Sequence, residues 1–126
     1  MAKLYGMHPI VLRPGVKEED FERFLSEAMP KLRMYEGWKY YVLKGDRGDR
    51  TGRYLCLIEV ESVEARDRYV PADNVMSEEV QKFGESLSEE ERAFQEKFFE
   101  KNATFTPSII GENTLYTDYV VIAESG

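Results

Sequence analysis

A β-hairpin between Gly37 and Ser62 is the feature that most constrains how this chain can fold. Its two arms, residues 38–43 and 54–60, are rich in aromatic, aliphatic and β-branched side chains, whereas residues 44–53 are polar and rich in glycine. This pattern predicts two antiparallel strands joined by a turn. The rest of the chain must therefore complete a sheet that contains this pair.

Neither arm of the hairpin alternates apolar and polar residues as a half-exposed strand does. In the second arm Leu55 and Leu57 point to one face, while Cys56 and Ile58 point to the other. Both faces of the sheet are thus expected to be covered. The chain's own helices can cover one face. A second copy of the chain, an apolar ligand, or both must cover the other.

The hairpin is preceded by one predicted strand and one predicted helix. The strand spans residues 3–13, and Pro9 indicates either that it begins near this residue or that a bulge over residues 6–9 divides it. Apolar residues at helical spacing over residues 21–32 predict an amphipathic helix. Pro30 lies inside this pattern and is expected to kink or restart the helix.

Helical segments follow the hairpin. One is capped by Ser62 and ends at Tyr69, and a second is opened by Ser77. The pair Ser88 and Glu91 has the spacing of a capping box and predicts a third helix, which runs to about residue 101.

The last strand is predicted over residues 115–123, after a connection over 103–113 in which 106–110 could form a short extra strand.

The length and the absence of an internal repeat or linker predict a single domain, 1–126, with a helical insertion over 71–102. The order of elements predicts an α+β, ferredoxin-like βαββαβ fold. In that fold a four-stranded antiparallel sheet carries helices on one face.

Two short segments resemble a known superfamily. Gly37-Trp38 begins a strand, and residues 59–65, EVESVEA, lead from a strand into a helix, as in the dimeric α/β-barrel proteins. That group includes the antibiotic-biosynthesis-monooxygenase-like, NIPSNAP-like and stress-responsive A/B-barrel proteins. The resemblance covers about residues 5–70 and the last strand, and the helical turns within 71–102 depart from a compact member. It implies a homodimer whose sheets pack face to face, with a cleft between sheet and helices in each subunit.

Composition excludes several partners. The formal charge of −7 argues against a nucleic-acid partner, because binding to a phosphate backbone needs a basic surface. No stretch approaches the roughly 20 apolar residues that a membrane helix needs, so no membrane partner is expected. Cys56 is the only cysteine and cannot form an intrachain disulfide, which fits a reducing compartment. Since no signal peptide is visible, a cytoplasmic location is predicted.

His8 is the only histidine and could act as an acid or base near neutral pH. The resemblance implies a cofactor-independent oxygenase, isomerase or cyclase that acts on a small aromatic or polyketide-like molecule. In such an enzyme His8 would be paired with a tyrosine, for which Tyr41 and Tyr54 are the candidates. A nucleophilic pair of Cys56 and His8 is also conceivable. The alternatives are a structural histidine and a cysteine that packs as a small apolar residue.

Aromatic residues predict a pocket for a flat, apolar ligand. The candidate lining residues are Trp38, Tyr40, Cys56, Tyr69 and Tyr119. The alternative is that these side chains pack in the core and at a dimer interface. One histidine and one cysteine do not make a usual zinc site, so neither a metal nor a cofactor is expected. An enzyme, a binding dimer without turnover and a purely structural oligomer all remain open.

Overall fold

The computed structural model describes residues 2–107 and 116–126. Its elements are β1 (Leu4–Ile10), α1 (Glu18–Ala28), a 3-10 turn (Met29–Lys31), β2 (Trp38–Lys44), β3 (Tyr54–Val60), α2 (Val63–Tyr69), α3 (Glu78–Ser86), α4 (Glu89–Phe105) and β4 (Thr117–Val120). Within the described residues the strands form one four-stranded antiparallel sheet in the order β2-β3-β1-β4. This is the strand order of the ferredoxin-like fold, so the predicted fold class is confirmed.

The helix boundaries follow local sequence signals. α1 ends at Ala28, and the chain continues as a 3-10 turn that contains Pro30, as the proline predicts. The side chain of Ser62 accepts a hydrogen bond from the Ala65 amide at the start of α2. Ser88 and Glu91 form the predicted capping box, with both reciprocal bonds at 2.9–3.0 Å.

The helical segment before the last strand contributes to the core. α4 continues to Phe105, beyond the predicted end near residue 101. Phe98 and Phe105 are buried, and the Phe105 ring lies 5.6 Å from that of Phe21 in α1. α4 is therefore the second core helix of the βαββαβ unit, while α2 and α3 are the additional turns.

β1 runs without interruption through Pro9, so it neither starts there nor carries a bulge. The Lys3 carbonyl accepts a hydrogen bond from the Val121 amide, on the β4 side. Since backbone groups alternate along a strand, the Pro9 nitrogen also points to that side. β4 begins opposite Met7, so no ladder bond is lost at the proline.

β4 is shorter than predicted. It covers Thr117–Val120, and one further backbone bond joins Val121 to Lys3. Leu115 and residues 108–110 lie outside the described residues, and neither Thr106 nor Pro107 is part of a strand.

The two faces of the sheet differ. On the covered face, α1 and α4 pack against buried residues of β1 and β3, including Leu4, Ile10, Cys56, Ile58 and Val60. No helix of the described part packs on the other face. This uncovered face carries Tyr5, Met7, Pro9, Lys39, Tyr41, Leu43, Leu55, Leu57, Glu59, Thr117 and Tyr119.

Candidate ligand-binding cleft

A partly open cleft of about 430 Å³ lies between the covered face of the sheet and the helices. Its floor includes Tyr40, Val42 and Cys56, which share a face because side chains alternate along β2 and β3. Leu25 of α1 and Phe98 of α4 line its walls. The volume is within the roughly 300–1,000 Å³ of small-molecule pockets in general. The cleft is mainly apolar.

A second, more open groove of about 690 Å³ follows the free edge of β2. It takes in Trp38 and Tyr40 from one face of the strand and Tyr41 and Leu43 from the other. Because it wraps around a strand edge, it encloses a ligand less completely than the cleft does. The cleft is therefore the better candidate site.

The charged and amide groups near the cleft mouth are already occupied. Arg33 is the only charged residue that lines the cleft within the described part of the chain. Its Nη1 donates to the Ser86 carbonyl at 3.3 Å and lies 3.7 Å from the Glu91 carboxylate. The Gln95 side chain donates to the Arg33 carbonyl at 3.2 Å. These groups hold the helices around the mouth.

Two polar side chains that line the cleft are buried, Asn102 and Thr106, with 5 % and 1 % exposure. The Thr106 hydroxyl donates to the Val11 carbonyl at 2.8 Å. The side-chain amide of Asn102 makes no hydrogen bond to any residue in 2–107 or 116–126. Within the described residues, the side chain of Thr106 thus has a hydrogen-bond partner and that of Asn102 has none.

Tyr40 and Cys56 give the cleft floor neutral polar groups. Burial raises the pKa of the Tyr40 hydroxyl, and the nearby Cys56, Tyr35 and Asp118 raise it further. Burial also raises the pKa of the Cys56 thiol to about 11. Both groups are therefore protonated at neutral pH, and Cys56 lacks the thiolate that a nucleophile needs.

His8 lies directly opposite Cys56 in the β1–β3 register, on the same covered face. Its side chain is fully buried, and its Nε2 has no hydrogen-bond partner in the described structure. Its Nδ1 is 3.4 Å from the Pro9 carbonyl. Burial lowers the pKa of His8, and the Pro9 carbonyl opposes this effect. The imidazole is neutral at pH 7 but does not line the cleft, and no hydrogen bond joins it to Cys56.

Tyr116 and Asp118 complete a polar cluster around His8. The Tyr116 ring centroid is 6.1 Å from that of His8, and its hydroxyl donates to the Asp118 carboxylate. Arg66 Nη1 is 3.5 Å from the same carboxylate. A Cβ at Gly6 would lie 2.9 Å from Asp118 Oδ1 and from Tyr116 Cζ, so the glycine makes room for this pair.

The other predicted catalytic residues are not brought to His8. The Tyr54 hydroxyl donates to the Glu22 carboxylate at 2.5 Å, and Lys44 Nζ lies 2.8 Å from the same oxygen. Burial and then this bond raise the pKa of Tyr54 to about 12. Tyr41 points to the uncovered face, away from His8.

Of the five predicted ligand-binding residues, Tyr40 and Cys56 line the cleft. The Trp38 indole donates to the Ala65 carbonyl at 3.1 Å, and Tyr69 stacks on Tyr35 at 4.3 Å. Tyr119 lies on the uncovered face and is 54 % exposed.

Sequence reasoning missed Asn102, which belongs to the buried stripe of α4, as well as the grouping of Tyr116 and Asp118 with His8. A glycine inside a predicted strand, Gly6, was the available signal of a close approach at that cluster.

The described residues contain no group of three or more His, Cys, Asp or Glu side chains that could hold a metal ion. None of the helices in the described part is long and apolar enough to cross a membrane.

No protein-family model matches the chain, and no curated protein matches it. Similar solved structures include the following two. One is a provisionally named antibiotic biosynthesis monooxygenase from Bordetella bronchiseptica, 16 % identical, with a TM-score of 0.49 over 98 % of this chain and 100 % of that chain. The other is a dimeric protein of unknown function from Bacteroides fragilis, 12 % identical, with a TM-score of 0.45 over 93 % and 94 % of the two chains.

Similarities of this size carry no argument about function. The Bordetella protein bears the name of one of the groups that the segments Gly37-Trp38 and 59–65 resemble. The fold named for the Bacteroides protein, ferredoxin-like, is the one that the strand order of this chain shows.

Proposed function

We propose that the protein binds a small, mainly apolar, ring-containing molecule in the cleft between sheet and helices. The observation that carries this proposal is the mainly apolar cleft of about 430 Å³ that Tyr40 and Cys56 line. Protein interiors are close-packed, and unfilled space costs stability. A cleft of this size beside a well-packed core supports a binding role over a purely structural one.

The test is calorimetric titration of the bicyclic ketone 2-tetralone and of 1-naphthol into the protein. Val42→Trp places a large side chain on the cleft floor and should abolish binding of both compounds. Val75→Trp, in the loop between α2 and α3, is the matched control and should bind as the parent protein does. Failure of both compounds to bind the parent protein overturns the proposal.

A second candidate function is a cofactor-independent oxygenase or isomerase that acts on the bound molecule. The observation that favours it is the buried, neutral His8, whose Nε2 is without a partner in the described structure. Such a nitrogen can accept a proton from a carbon next to a carbonyl, leaving an enolate. An isomerase would return the proton to another carbon, and an oxygenase would use dioxygen as the oxidant. Because His8 lies beneath the cleft, binding without turnover is the first proposal.

Exchange of the acidic C–H protons of 2-tetralone in D2O, followed by NMR, tests the catalytic candidate. The parent protein should accelerate exchange, and His8→Gln should remove the acceleration while the melting temperature stays within a few degrees. Equal exchange in the two proteins would end the case for His8 as a base.

We also propose a homodimer formed through the uncovered face of the sheet. Lys39 and Glu59 are the charged residues that the four strands place on that face, and they are cross-strand partners. Lys3 Nζ, just before β1, lies 4.0 Å from the Glu59 carboxylate, and the remaining surface is mostly apolar. A specific dimer would bury more than about 1,200 Å² in total.

The cytoplasm is the proposed compartment, since the single cysteine, Cys56, is a buried free thiol.

A further inference from the structure

We infer that the ligand is an oxygenated ring compound, a ketone or a phenol, whose oxygen is held by the side chain of Asn102. This inference rests on the proposed binding function and narrows its ligand class. A hydrocarbon of the same shape would fill the cleft without satisfying this amide.

Asn102 occupies an unusual position for its side chain. It lies between Phe98 and Phe105 at the i, i+4, i+7 spacing of the buried stripe of α4. It is 5 % exposed, which is typical of an apolar residue rather than of an amide. A buried amide without a hydrogen bond destabilises the fold, so a leucine would suit the free protein better.

The fold leaves Asn102 available to a ligand. Thr106, Gln95 and Arg33 also line the cleft, but each donates to a backbone carbonyl. Within residues 2–107 and 116–126, His8 Nε2 is the one side-chain polar atom both enclosed and unpaired. The side-chain amide of Asn102 has no partner within these residues either, and Asn102 is one of the residues that line the cleft.

The chemistry of the amide defines the partner. Asn102 offers two N–H donors and one carbonyl acceptor, and it carries no charge. A ketone oxygen can accept from the N–H group, and a phenol can donate to the carbonyl. The single cation of the described lining, Arg33, already faces Glu91, so the arrangement does not favour an anionic group at depth.

The experiment compares 2-tetralone with tetralin, which has the same ring skeleton without the oxygen. Calorimetric or NMR titration of the parent protein should give about tenfold tighter binding of the ketone, the factor that one net hydrogen bond supplies. Asn102→Leu should bring the two dissociation constants within about twofold. Gln81→Leu, an exposed amide on α3 that lies outside the cleft, should keep the tenfold preference.

The outcomes separate the two proposals. If both compounds bind the parent protein equally, the proposed role of Asn102 is wrong, although the cleft still binds ligands. The same conclusion follows if Asn102→Leu keeps the preference for the ketone. If neither compound binds, the proposed function fails and this inference fails with it. The comparison of the two compounds in the parent protein decides the question even if Asn102→Leu does not fold.

Discussion

The two faces of the sheet are built from the same strands yet have different contents. The covered face holds His8, Cys56 and Tyr40, polar groups that burial keeps neutral. The uncovered face holds aliphatic and aromatic side chains such as Leu55 and Leu57, with one cross-strand pair of opposite charge. Groups that can recognise or react are thus sheltered on one side, and surface suited to association lies on the other.

Because side chains alternate along a strand, one strand with apolar residues on both sides can supply two separate surfaces. Each residue of β3 belongs wholly to one face, so the proposed ligand site and the proposed interface use separate residues of this strand. Cys56 and Leu57 are neighbours in sequence but belong to different surfaces. The predictions below test whether the two faces are as independent as their composition indicates.

The largest expected effect separates core from interface. Ile58→Ala removes a side chain that is 1 % exposed, and it should lower the free energy of unfolding by about 2–5 kcal/mol at every protein concentration. Leu57→Ala, one residue earlier, should lower the free energy of unfolding by less than Ile58→Ala does in dilute solution. Its effect should grow as the protein concentration rises and the proposed dimer forms. Denaturant titrations at two protein concentrations measure this. Equal, concentration-independent losses would mean that the uncovered face is an ordinary part of one subunit's surface.

Leu57→Asp tests the interface directly. A carboxylate in the middle of the uncovered face should weaken dimerisation at least about thirtyfold, corresponding to roughly 2 kcal/mol, because the charge would be buried without a partner. Light scattering across a dilution series reports the change. Val75→Asp, a half-exposed loop residue, should leave the dimer unchanged. A parent protein that is monomeric at all concentrations contradicts the proposed homodimer.

Gly6→Ala tests how tightly the covered face is packed around Tyr116. The added methyl would lie 2.9 Å from Asp118 Oδ1 and from Tyr116 Cζ, so the pair must move. We expect a loss of about 1–3 kcal/mol in the free energy of unfolding. Thermal melting gives the loss, and a changed NMR shift of His8 would place the movement on its side of the sheet. A melting curve and a His8 spectrum like those of the parent protein would rule out this packing role.

The smallest effect is a pH dependence from His8. Burial lowers its pKa below the ordinary 6.5, so the unfolded chain binds the proton more readily than the folded one. Above pH 6.5 the imidazole is neutral in both the folded and the unfolded chain, so the protonation of His8 should not change the free energy of unfolding. As the pH falls from 6.5 toward the folded pKa, stability should decrease by up to about 1.4 kcal/mol per pH unit. Chemical denaturation between pH 7.5 and pH 5 measures this slope, and His8→Gln should flatten it.

The order of elements could be predicted because local signals mark it. Ser88 and Glu91 fix the start of α4, and the polar turn between the hairpin arms fixes the β2–β3 pairing. The end of α4 could not be predicted in the same way. Asn102 and Thr104 have weak helix propensity, but burial of Phe105 against Phe21 extends the helix past them. For that reason Asn102 was not recognised as a cleft residue.

The polar cluster at His8 is a long-range feature. The position of Cys56 opposite His8 depends on strand register, and the approach of Tyr116 depends on the pairing of β4 with β1. Neither is encoded by neighbouring residues. The two-sided apolar character of the hairpin and the division of its residues between the two faces were visible in the sequence, whereas the face that the helices cover was not.

Pro9 limits the addition of a further strand along the part of β1 that β4 does not cover. Because its nitrogen carries no hydrogen and points past the end of β4, any peptide laid along β1 beyond Met7 would find an acceptor there but no donor. Lengthening of the ladder in that direction is thereby penalised. Edge-to-edge addition, which leads to aggregation, is thus discouraged along this stretch of β1, whereas the outer strands of the sheet are β2 and β4.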